Sequence, residues 1–135
     1  MKKKIIVLSM VSLLLLGGCA KGYKEGIYTG TATVTVDNNG KITSVELDTT
    51  YTKDGVKTTK KALGSEYGMY NNPYGSTIGE WDTQVKALED YIVKNQGIDS
   101  LKLDEDGKTD AVSGCTIKID ALYEAASNAL KQAKK

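Results

Sequence analysis

The chain has no histidine and no phenylalanine, a single proline and only two cysteines. Without histidine it lacks the usual general base near neutral pH and the usual ligand of zinc, copper and haem iron. No Cys-x-x-Cys-His run offers covalent haem attachment, and no Gly-x-Gly-x-x-Gly run offers a site for a soluble nucleotide donor. Charge is nearly balanced, with 18 Lys and Arg against 17 Asp and Glu, so no basic surface suited to nucleic acid is expected. The acidic run Asp104-Glu105-Asp106-Gly107 lacks the twelve-residue calcium loop and reads as a turn, and no metal is expected. If electrons are handled, an organic cofactor is the carrier left by elimination.

What is present begins with a leader. Lys2, Lys3 and Lys4 precede an apolar run from Ile5 to Leu16, and Leu16-Gly17-Gly18-Cys19 follows as a lipoprotein cleavage site. The run is shorter than the roughly 20 residues of a membrane span. Residues 1–18 are therefore read as a signal peptide, Cys19 as the lipidated residue and 19–24 as a tether. Residues 25–135 form one domain, held by the anchor on the extracytoplasmic face of the cell membrane. Loss of the three lysines takes the formal charge from +1 to −2. With Cys19 acylated, Cys115 has no disulfide partner; it is either a buried small residue or a thiol activated by a helix N-terminus.

The domain reads as α+β, a small antiparallel sheet packed by two helices. Ile27 to Val36 alternates as a strand, Asn38-Asn39-Gly40 signals a hairpin, and Lys41 to Thr50 is the partner strand, with a bulge where alternation slips between Ile42 and Val45. Lys53-Asp54-Gly55 marks a further turn, followed by a polar stretch to Lys61. Residues 62–79 are irregular, carrying Gly64, Gly68, Gly75, Gly79, Pro73 and tyrosines 67, 70 and 74. They read either as a mobile surface loop or as an aromatic wall for a flat ligand.

Glu80 to Gln96 is a helix with Trp81, Val85, Leu88 and Ile92 on its buried face and Gly97 as its cap. Its residues Asp82, Lys86, Glu89, Asp90 and Lys94 form a solvated face. Ile98 to Leu103 and Lys108 to Val112 read as two short strands, and Ile119, Leu122, Ala126, Ala129 and Leu130 mark the last helix.

Between the last strand and that helix stands Asp110-Ala111-Val112-Ser113-Gly114-Cys115-Thr116. A Ser-Gly-x-Thr turn entering a helix leaves backbone N–H groups and a hydroxyl at the positive end of the dipole, a place for phosphate. The same residues also suit a plain N-cap by Ser113 or Thr116. This run, with Glu80 to Ile92 and Tyr67-Gly68-Met69 upstream, resembles the FMN-binding domain family from about Tyr23 to Ala133. It looks like the extracellular lipoprotein branch, related to the flavinylated subunit of sodium-pumping NADH:quinone oxidoreductases.

The resemblance implies FMN held as a phosphoester on Thr116, with Ser113, Gly114, Cys115 and Asp110 around it; Cys115 stands where alanine is usual. It implies an FAD-dependent flavin transferase that makes the bond, and Asp110 serves recognition by it or holds the turn. It implies a membrane quinol- or NADH-linked reductase as donor and an extracellular electron acceptor, with no catalytic residues of the chain's own. Two other classes stay open: a surface lipoprotein of this fold that binds a ligand or partner without redox activity, and a flavin-dependent reductase of a small substrate.

Overall fold

The computed structural model describes residues 4–14, 27–70 and 78–133. Cys19, the tether 19–24 and the part of the irregular loop containing Pro73, Tyr74 and Gly75 lie outside them. Four strands form one antiparallel sheet in the order β1 (Lys4–Leu14), β2 (Ile27–Val36), β3 (Ile42–Lys53) and β4 (Val56–Thr59). A short helix α1 (Lys60–Leu63) and a 3₁₀ turn (Gly64–Tyr67) follow, then the two long helices α2 (Trp81–Asn95) and α3 (Asp120–Ala133). This is the expected small α+β fold.

β1 comes from the segment read above as a leader and occupies the edge beside β2. In β2, Ala32, Val34 and Val36 point inward; in β3, Ile42, Val45, Leu47 and Thr49 do. The ladder slips between Thr35 and Val36, which pair with Ser44 and Ile42, so the bulge falls at Thr43 as the broken alternation implied. The hairpin at 38–40 is fastened by a residue the turn signal did not include: the Asp37 carboxylate accepts from the Asn39 and Lys41 N–H groups, each at 2.9 Å. Asp54 and Gly55 both take left-handed backbone (φ 52° and 81°), the geometry of a two-residue hairpin, so the polar stretch after them becomes β4.

α2 buries Trp81, Val85, Leu88 and Ile92, and α3 buries Leu122, Ala125, Ala126, Ala129 and Leu130. Gly30 is the point of closest approach between sheet and helix: a Cβ there would lie 2.8 Å from the Ala121 carbonyl oxygen. α2 ends at Asn95, and Gln96, not Gly97, takes the left-handed cap position (φ 53°). The Gln96 side chain has a second use. Its Oε1 accepts from Ile42 N–H (2.8 Å) and its Nε2 donates to the Ile42 carbonyl (2.9 Å), replacing a missing strand on that edge of β3.

Glu89 does the same further along. It is 3% exposed, accepts from Leu47 N–H at 2.7 Å and pairs with Lys61. The expectation of a wholly solvated charged face is therefore corrected at this residue; β4 reaches back only to Thr50, and a carboxylate from α2 satisfies the edge beyond it.

The two short strands expected at 98–103 and 108–112 do not form. With the β3 edge taken by Glu89 and Gln96, this chain lies across the core as a loop, anchored by Ile98, Leu101 and Val112. The turn at 104–107 is present. Asp104 Oδ1 accepts from Asp106 and Lys108 N–H groups, and Asp104 N–H donates to the Lys108 carbonyl at 2.8 Å. Among the described residues no cluster of His, Cys, Asp and Glu is placed to hold a metal, and no helix is long and apolar enough to cross a membrane.

Candidate functional site

Thr116 is exposed on the loop between the 104–107 turn and α3. α3 starts at Asp120, so Thr116 is not in its first turn, and Ser113 caps no helix: both expectations of a site at the α3 N-terminus are corrected. The intervening chain is tied back to the 104–107 turn by Ile119 N–H donating to the Gly107 carbonyl at 2.8 Å.

The helix that organises Thr116 is α2. Gln84, fully buried, accepts at Oε1 from Thr116 N–H (2.8 Å) and from Thr116 Oγ1–H (3.2 Å), while its Nε2 donates to the Gly79 carbonyl at 3.0 Å. Gln84 is the fourth residue of α2 and Gly79 precedes the helix. Thr116 therefore sits beside the positive end of the α2 dipole.

The other expected residues divide. Gly114 takes left-handed backbone (φ 81°) and is exposed; a Cβ there would have only Ala87 Cβ near it, at 4.0 Å, so the turn leaves open space on its outer side. Ser113 and Asp110 are exposed on the same loop. Thr109, the third hydroxyl nearby, is 8% exposed and accepts from Ala111 N–H at 3.1 Å, so it braces the turn rather than sitting in a strand. Cys115 is 1% exposed and belongs to the core. Burial pushes its thiol above the ordinary range, against a smaller opposing effect of a backbone hydrogen bond near Ile117. The activated-thiol expectation is thus corrected.

Around the start of α2 the described part of the irregular segment is held by chemistry that sequence reasoning missed. The Glu80 carboxylate accepts from Met69 N–H (2.7 Å) and Tyr70 N–H (3.1 Å). Lys60 Nζ lies 5.2 Å from the Tyr67 ring centroid and 5.3 Å from that of Trp81, and Tyr67 meets Tyr51 edge to face at 5.2 Å. Burial lowers the Lys60 pKa, with Asp48 opposing. Trp81 is 3% exposed, a core residue as its spacing implied. Tyr70 and Ile78, at the two ends of segment 71–77, remain exposed, and both are tethered near the α2 N-terminus through Glu80 and Gly79.

A cavity of about 540 Å³ lies elsewhere, between α3 and the chain after α2, lined among others by Asp99, Asp120, Glu124 and Lys131; none of the expected site residues borders it.

A flavin phosphate needs an accessible hydroxyl, a turn that does not crowd it and a favourable dipole; its ring needs exposed apolar surface nearby. Thr116 offers an exposed hydroxyl, Gly114 an uncrowded turn and the start of α2 a favourable dipole, and Tyr70 and Ile78 are exposed hydrophobic side chains on either side of residues 71–77. A family model, the FMN-binding domain, matches residues 22–131, and the chain belongs to that family. FMN is its cofactor. No curated protein and no solved structure matches the chain.

Proposed function

We propose that the chain is a membrane-anchored, extracytoplasmic electron carrier, with residues 1–18 removed, Cys19 lipidated and FMN bonded through its phosphate to Thr116. It relays electrons from a membrane quinol- or NADH-linked reductase to an extracellular acceptor, and an FAD-dependent transferase installs the flavin. The observation that carries the reading is the state of the three competing hydroxyls: Thr116 is exposed and seated by a buried amide, whereas Thr109 is buried and Ser113 is seated by no helix end. The domain match begins at residue 22, after the leader and Cys19, as a removable segment requires. β1 is an edge strand, so its removal leaves the β2–β3–β4 ladders whole.

Bound FMN supplies one- and two-electron transfer, which suits exchange between two-electron donors and one-electron acceptors. The chain's own part is placement. Thr116 carries the attachment, Gly114 keeps the turn open, the α2 dipole favours the phosphate charge, and Tyr70 and Ile78 offer apolar surface to a flat ring. Asp110 stays on the exposed side of the loop, suited to recognition by the transferase. The reading of a non-redox lipoprotein of this fold draws on Cys115 standing where alanine is usual; the thiol is 1% exposed and packs as a small core residue, which is compatible with the flavin turn.

Co-expression with the transferase tests the attachment. Wild-type chain should gain the mass of FMN less one water, Ser113→Ala should retain the label and Thr116→Ala should lose it. Full labelling of Thr116→Ala refutes the assignment. Cys19→Ser should abolish membrane fractionation of the trimmed protein; a trimmed mutant still found in membranes refutes the anchor.

A further inference from the structure

Gln84 is a fully buried polar side chain at the hinge between the attachment loop and the start of α2. Its orientation is forced. The Thr116 backbone N–H can only donate, so the atom facing it is Oε1; the Gly79 carbonyl can only accept, so the atom facing it is Nε2. Because Oε1 only accepts, the Thr116 hydroxyl must be the donor in their 3.2 Å contact. One oxygen thus binds both the main-chain N–H and the side-chain O–H of the same threonine. That double contact selects one χ1 rotamer, points the hydroxyl proton inward and leaves the oxygen lone pairs facing out.

We propose that Gln84 is a positioning residue for flavin attachment, holding Thr116 Oγ in the attacking orientation before the transferase arrives. The inference rests on Thr116 being the attachment residue. In the transfer, Thr116 Oγ bonds to the FMN-side phosphorus of FAD and the bond from that phosphorus to the bridging oxygen breaks. AMP leaves with that oxygen and the electron pair. The hydroxyl proton passes to a base of the transferase, since an amide oxygen is too weakly basic to keep it, and nothing is oxidised or reduced. A neutral amide suits this place better than a carboxylate, which would repel the incoming phosphate. Because the same amide holds Gly79, it also fixes the attachment loop against the end of the 62–79 segment.

The test uses isotope-labelled full chain, purified in detergent from cells without the transferase. Three-bond couplings to Thr116 Cγ2 should report a single χ1 rotamer in wild type, averaged rotamers in Gln84→Met, and a single rotamer again in Gln84→Glu, which keeps the accepting oxygen. With saturating FAD and transferase, Gln84→Met should be labelled about tenfold more slowly, the loss expected of one hydrogen bond to a reacting group, with KM for the chain unchanged. Averaged couplings in wild type, or Gln84→Met labelled at the wild-type turnover, overturn the proposal. Should Gln84→Met fail to fold, the wild-type and Gln84→Glu couplings decide. A wild-type chain that gains no FMN overturns the attachment reading instead, while the couplings still decide whether Gln84 orients the hydroxyl.

Discussion

Replacing Glu89 by alanine removes a carboxylate that two elements depend on. Glu89 is 3% exposed; it accepts from Leu47 N–H at 2.7 Å and is the close partner of Lys61, whose side chain is 22% exposed. Its loss orphans a buried backbone donor, at about 1–3 kcal/mol, and strands a mostly buried ammonium. Breaking a buried pair from one side costs about 3–5 kcal/mol. Lys61 retains Glu46 at 3.5 Å, a largely exposed partner that recovers part of the charge cost. We expect a net loss of about 3 kcal/mol, or roughly 12 °C in Tm for a domain of this size.

Urea denaturation and calorimetry measure it, and two further variants apportion it. Glu89→Gln keeps an acceptor for Leu47 and should cost about half as much. Glu89→Leu combined with Lys61→Met removes both charges and should leave about 1–3 kcal/mol, the price of the orphaned N–H. A Glu89→Ala protein within about 0.5 kcal/mol of wild type would refute the reasoning, because that is the range of an exposed surface change.

Two more outcomes follow from the packing. Gly30→Ala places a methyl 2.8 Å from the Ala121 carbonyl oxygen, backbone that cannot swing aside, and should destabilise by about 1–3 kcal/mol in the same assay; an unchanged midpoint would place α3 farther from β2. Cys115 should resist thiol reagents in the native chain at pH 8 and react on unfolding. Since burial raises its folded pKa, its contribution to stability is complete below the unfolded thiol's value of about 8.5 and declines as pH rises past it. Native-state labelling at the free-thiol rate would contradict the buried placement.

Much of this molecule was legible along the chain. The hairpin at 38–40, the bulge opposite Thr35, α2 and α3 arise from turn chemistry and periodicity, which act over a few residues, and the run 110–116 helped carry the resemblance to the family that the chain belongs to. Other features depend on neighbours that local pattern does not see. Glu89 reads as one charge among five on a helix, yet a backbone donor 42 residues away in sequence draws it inward. The alternation in 98–112 reads as strands, but the edge that would pair them is filled by side chains of α2. The sequence by itself singled out Thr116 as the candidate hydroxyl, because that motif is local. Only the tertiary structure decided what holds it: Gln84, 32 residues upstream, meets Thr116 because α2 packs across the loop, and it brings the positive end of α2 to the site in place of that of α3.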